Sequence, residues 1–219
     1  WKPSEIMIYL DYQATTPLAP EAREAIIRQL DGPEGSTFGN PHSAHKLGRQ
    51  AAATVEVARE RVAALLPPGG SLIFTSGATE ALNAALRDTG FDVLTFATEH
   101  AAVLDCGWPL GQEGYELEVL PVDDEGIADL GALASAARKE PAMVAAMAVN
   151  NEIGTRHPLD DIARITHKVE ARLVVDAVQA FGRIDLTNCP ADLIAISAHK
   201  IHGPKGVGAL WMRHGAEIE

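Results

Sequence analysis

Lys200 stands just after a strongly apolar run, Leu193-Ile194-Ala195-Ile196, at the end of Ser197-Ala198-His199-Lys200. An amine delivered by an apolar strand is partly desolvated, which lowers its proton affinity and suits it to attack an aldehyde and form a Schiff base. Taken alone, the same lysine also reads as a surface residue with a snorkelling stem. Ser197 and His199 beside it, and the turn Gly203-Pro204-Lys205-Gly206 after it, add anion donors. Asp176 closes Leu173-Val174-Val175 and is either a capping group or the partner of a buried cation such as a ring nitrogen. Thr75-Ser76-Gly77-Ala78-Thr79 combines a strand end, a small-residue turn and a helix start. Free N–H groups and the helix dipole there suit a phosphate, with the Thr79 hydroxyl as a further donor. This segment is neither a Walker motif nor a dinucleotide fingerprint, and alone it is also an ordinary strand-to-helix turn. His100, in Thr98-Glu99-His100, is either a helix-start residue or a flat ring that stacks on a planar ligand and moves protons near neutral pH. His199 and His202 are three apart with no third ligand in view, so no metal site is expected.

A phosphate cradle, an amine nucleophile, a carboxylate for a ring nitrogen and an aromatic stacker together describe a pyridoxal 5'-phosphate pocket. The elements that must position them follow from the apolar pattern. Strands are expected at Ile8–Leu10, Leu72–Thr75, Val93–Phe96, Leu117–Leu120, Met143–Val149, Leu173–Asp176, Leu193–Ser197 and Val207–Met212. Helices are expected near 20–31, 44–66, 78–87, 101–113, 129–138 and 158–170, with Pro158 in the first turn of the last. Such alternation predicts an α/β fold, a mostly parallel sheet with helices on both faces. Sheets of this kind bind ligands beyond the carboxyl ends of their strands. The chemically equipped residues all follow strands.

The chain has 219 residues, enough for a sizeable core. Its 18 Lys and Arg against 30 Asp and Glu give a net charge of −12. That balance argues against nucleic-acid binding and against docking on anionic membranes. No apolar stretch approaches the roughly 20 residues of a membrane span. No secretory signal is visible in Trp1 to Ile6, and Cys106 and Cys189 make no disulfide framework, so a cytoplasmic location is expected. Residues 1–7 read as a tag or disordered leader, and 8–219 as one cofactor-binding large domain.

The motifs resemble a known family. Tyr9-Leu10-Asp11-Tyr12-Gln13-Ala14-Thr15-Thr16-Pro17, Gly39-Asn40-Pro41-His42-Ser43, Thr75-Ser76-Gly77-Ala78-Thr79-Glu80 and Thr98-Glu99-His100 come first. Asn150-Asn151-Glu152-Ile153-Gly154-Thr155, Val175-Asp176-Ala177-Val178-Gln179-Ala180 and Ser197 to Gly206 complete the order. The sequence is similar to the cysteine desulfurases, class V pyridoxal-phosphate aminotransferases of fold type I, from about Ile8 to about Arg213. The resemblance implies a seven-stranded-type large domain. Lys200 would capture the cofactor aldehyde, and His100 would stack on the ring and act as acid-base. Asp176 would bind the ring nitrogen and Gln179 the phenolic oxygen, with Asn151 nearby. Ala78, Thr79, Ser197 and His199 would hold the phosphate. The Ala14-Thr15 segment would line the substrate entrance.

The implied reaction converts L-cysteine to L-alanine and passes sulfur through an enzyme cysteine towards iron–sulfur clusters or thiolated products. The family continues well past Glu219, so the small C-terminal domain, the substrate-binding arginine and the sulfur-accepting cysteine are expected to be absent. Neither Cys106 nor Cys189 matches the nucleophile motif, and both are read as structural. The segment between Leu86 and Phe91 looks short for the family. Three readings stand at this point. The first is a desulfurase-like enzyme portion, weak or inactive alone, that works with a complementary C-terminal chain or a sulfur-acceptor protein. The second is a cofactor-binding relic of the aminotransferase type, or a selenocysteine lyase. The third is a non-catalytic interaction module. A homodimer is expected, because pockets of this family are completed across a two-fold axis.

Overall fold

The structure is a computed structural model that describes residues 8–30, 32, 37–87, 92–139, 141 and 143–216. Seven strands form one sheet: β1 (Gly70–Thr75), β2 (Val93–Phe96), β3 (Leu117–Leu120), β4 (Met143–Met147), β5 (Arg172–Asp176), β6 (Leu193–Ser197) and β7 (Gly208–Arg213). Their spatial order is β1-β7-β6-β5-β4-β2-β3. From β6 to β3 all neighbours are parallel, while β7 runs antiparallel to both β6 and β1. The expected mostly parallel sheet is present.

The centre of the sheet is apolar on both faces, as parallel strands under helical cover must be. In β4, Val144 and Ala146 enter one core while Met143 and Ala145 enter the other. The first core also takes Ile162 and Ala163 of α7 (Leu159–Lys168) and Leu133 of α6 (Leu130–Ala136). The second takes Leu82 and Leu86 of α3 (Ala78–Arg87), Val103 of α4 (Ala101–Leu104) and Leu110 of α5 (Gly107–Glu113). Helices therefore cover both faces. Two further helices, α1 (Pro20–Leu30) and α2 (Lys46–Ala63), precede β1. No side chain of α1 is buried.

Several boundaries differ from expectation for local reasons. Residues 8–10 form no strand, and Ile8 and Leu10 are exposed. Alternating apolar residues make a strand only where an edge is available to pair with. The helix expected over 101–113 is two helices, broken at Asp105-Cys106. Pro158 is the N-cap of α7 and not part of its first turn. Asp129 caps α6 by accepting the Gly131 and Ala132 N–H groups at 2.8 and 2.9 Å. Residues 1–7 and most of the short segment after Leu86, 88–91, lie outside the described residues.

Candidate active site

A cavity of about 470 Å³ opens at the carboxyl ends of the central strands. It lies within the size range of small-ligand pockets. Ala78, Thr79, His100, Asn151, Asp176, Gln179, Ser197, His199 and Lys200 all line it. The sheet thus brings together these nine residues expected from the sequence, though not the Ala14-Thr15 segment. Ser76, Gly77, Lys205 and Gly206 lie on the same wall as the expected phosphate donors.

The anion side is built from the β1–α3 turn. Glu80 closes the turn by accepting the Ser76 N–H at 2.6 Å and its hydroxyl. These two hydrogen bonds hold the Glu80 carboxyl below the usual range. The first free N–H groups of α3 then follow at the cavity wall, where the helix dipole favours negative charge. The start of β7 packs closely against this turn. A Cβ on Gly208 would lie 2.6 Å from the Gly77 backbone and 2.7 Å from the Ile196 carbonyl oxygen. His199 completes this side, its ring Nδ1 lying 3.1 Å from Thr15 Oγ1. Burial and the nearby Lys200 and Lys205 charges lower its proton affinity.

Asp176 is buried at the end of β5, and its Oδ1 accepts the Val178 N–H at 2.9 Å. Burial raises its pKa, while the backbone N–H of Val178 and the charges of His100 and Lys200 oppose the rise. A buried acid raised in this way is suited to a cationic partner. Lys200 shows the complementary effect: burial lowers its pKa, and Asp176 and Asp11 work against that. The Lys200 ammonium donates to the Gln13 carbonyl at 2.7 Å. Gln179 Nε2 donates to the same oxygen at 2.8 Å. Arg183 ties the two together, donating to Gln179 Oε1 at 2.6 Å and to the Lys200 carbonyl at 2.9 Å.

His100 caps α4 by accepting the Ala102 N–H at Nδ1, 3.0 Å away. With Nδ1 committed as an acceptor, Nε2 carries the proton of the neutral ring. Asn151 lines the cavity, whereas its neighbour Asn150 is structural. Asn150 donates to the Thr98 carbonyl at 2.9 Å and accepts the Glu152 and Ile153 N–H groups. The Ala14-Thr15 segment does not line the cavity, and Thr15 reaches it only through His199.

Sequence reasoning missed Gln13, Arg183 and Glu99. Gln13 and Arg183 act through contacts between distant segments, which no local pattern announces. Glu99 had a readable signal, an acid three residues past an apolar strand and just before His100. Cys106 and Cys189 are both free and buried, and burial raises both thiols.

The fold and this cavity define an α/β protein that gathers a buried carboxylate, a partly desolvated amine and a helix N-terminus at its strand ends. The chain belongs to the aminotransferase class-V family, whose model matches residues 8–218. Enzymes of that family depend on pyridoxal 5'-phosphate. The chain is 41% identical to the cysteine desulfurase IscS of Dictyoglomus turgidum over 96% of its own length and 55% of that protein. It is also 41% identical to the mitochondrial cysteine desulfurase of Saccharomyces cerevisiae, over 94% of this chain and 43% of the other. Among solved structures, a NifS-like protein matches with a TM-score of 0.89 at 36% identity, covering 97% of this chain and 60% of that one. The structure titled SspA in complex with cysteine matches with a TM-score of 0.87 at 29% identity, covering 96% and 63%. The chain spans about half the length of the curated relatives it matches.

Proposed function

We propose that this chain forms the cofactor-binding part of a pyridoxal-phosphate-dependent cysteine desulfurase that converts L-cysteine to L-alanine and passes the sulfur on. The observation that carries the reading is that Lys200 and Asp176 line one cavity, each opposing the effect of burial on the other. The residues present fit the cofactor. Asp176 supplies a buried anion for its ring nitrogen, Lys200 a partly desolvated amine for its aldehyde, and the β1–α3 turn with Ser197 and His199 the donors for its phosphate. When bound, the cofactor supplies an electron sink for negative charge developing at the substrate Cα.

The protein's own contributions follow from the geometry. Desolvation raises the neutral fraction of the Lys200 amine, which is the form that attacks carbon and accepts a proton. His100, held by its N-cap bond, would offer Nε2 as the group that donates or takes a proton in the cavity. Asp176 keeps the ring nitrogen protonated. The buried Cys106 and Cys189 are placed unfavourably for sulfur acceptance, so the acceptor thiol is assigned to a cysteine or partner outside these residues. We place the protein in the cytoplasm, acting as a homodimer with a sulfur-acceptor partner.

Titration with pyridoxal phosphate, borohydride reduction and peptide mapping test this reading. Absorbance should develop on mixing, reduction should fix the label on Lys200, and Lys200→Ala should abolish it. A label on another lysine, or none, would overturn the reading. Alanine and sulfide release from L-cysteine, measured with the complementary C-terminal residues supplied, tests the substrate assignment.

A further inference from the structure

Glu99 follows β2 immediately before His100 and is 6% exposed. One of its carboxyl oxygens accepts the Met147 backbone N–H, and Met147 is the register partner of Asp176 across the β4–β5 ladder. Its other oxygen, Oε2, is buried with no hydrogen-bond partner, the only such side-chain atom among the described residues. An ionised carboxylate here would hold a full charge with one oxygen unsolvated, near a second acid. Both conditions favour the proton. The neutral acid keeps its acceptor for Met147 and places the proton on the orphan oxygen.

The choice between the two acids is set by what surrounds each. Asp176 has the Val178 N–H and the charges of His100 and Lys200 to stabilise its anion. Glu99 has only the Met147 N–H on that side, and the charge that reaches it is that of Asp176. Burial and that like charge push the Glu99 carboxyl up to about 8.

We propose that Glu99 is a positioning residue that stays protonated beside Asp176, so that the buried acid pair carries its charge on Asp176 alone. One anion then faces the cavity as the partner for a ring nitrogen, and no second charge competes for Lys200 and His100. The purpose given to Glu99 rests on the cofactor reading above, whereas its protonation is a property of the protein itself.

Infrared spectroscopy of the whole chain without cofactor tests the two separately. At neutral pH the wild type should show a protonated-carboxyl band that fades as pH rises through about 8. The band should be lost in Glu99→Gln, which keeps the Met147 acceptor. In Asp176→Asn it should persist but fade at lower pH, since one cause of the raised proton affinity is gone. Absence of the band in wild type, or its survival in Glu99→Gln with loss in Asp176→Asn, overturns the proposal. Should Glu99→Gln fail to fold, carbon-13 NMR of glutamate-labelled wild type decides it, because a buried glutamate titrating in the ordinary acid range overturns it equally. Failure to bind pyridoxal phosphate with the band in place would sink the cofactor reading and leave this one standing.

Discussion

At the scale of single residues, the site is a set of acids and bases moved from their ordinary ranges by burial, and this gives it a pH signature. The folded-state pKa of Glu99 is raised from 4.5 to about 8. Its contribution to stability is therefore fully present below about 4.5 and is lost as pH rises to about 8. Asp176 is shifted in the same direction. Thermal unfolding of the cofactor-free protein should show a melting temperature that declines across that window, and Glu99→Gln should flatten the decline. The phosphate side gives a second expectation. Ser197→Ala removes one hydroxyl donor, at a cost of about 1 kcal/mol or roughly fivefold in pyridoxal phosphate affinity, read by fluorescence titration. The type and place of Lys200, Asp176 and His100 were legible because each follows a short apolar run. The anomaly at Glu99 was not, because burial and a missing partner are properties of packing.

Elements position these residues through backbone contacts that tolerate little change. Gly208 begins β7 against the turn that opens α3, and a Cβ there would meet backbone atoms that cannot swing aside. Gly208→Ala should therefore lower both the melting temperature, by the equivalent of about 1–3 kcal/mol, and cofactor affinity. Asp129→Ala should cost about 1 kcal/mol through the lost α6 cap, yet leave cofactor affinity unchanged, since α6 contributes nothing to the cavity. Denaturant unfolding with ligand titration separates the two effects. The β4, β5 and β6 positions were readable because continuous apolar runs under helical cover leave few alternatives. The break at Asp105-Cys106 was marked only by Gly107 and Pro109 just after it, a signal that the apolar pattern over 101–113 overrode. The supposed strand at 8–10 failed because local alternation says nothing about whether a neighbouring edge exists.

At the scale of the whole molecule, exposed apolar side chains cluster in the segment before β1. Ile8, Leu10, Leu30 and Phe38 are all more than half exposed. Exposed apolar surface favours association, so light scattering should show assembly beyond the monomer that grows with concentration, and Leu10→Lys with Leu30→Lys should reduce it. Lys200 and Gln179 both donate to the carbonyl of Gln13, and Thr16 and Ala19 bond to His199 and His202. The Gln13–Lys200 contact spans 187 positions. At synthesis rates of about 5–20 residues per second, residue 13 waits on the order of 10–40 s for its partner to leave the ribosome. Lys200 is thus fastened only after almost all of this stretch has been translated. The opening segment must meanwhile travel as an unsatisfied tether, exposed to chaperones.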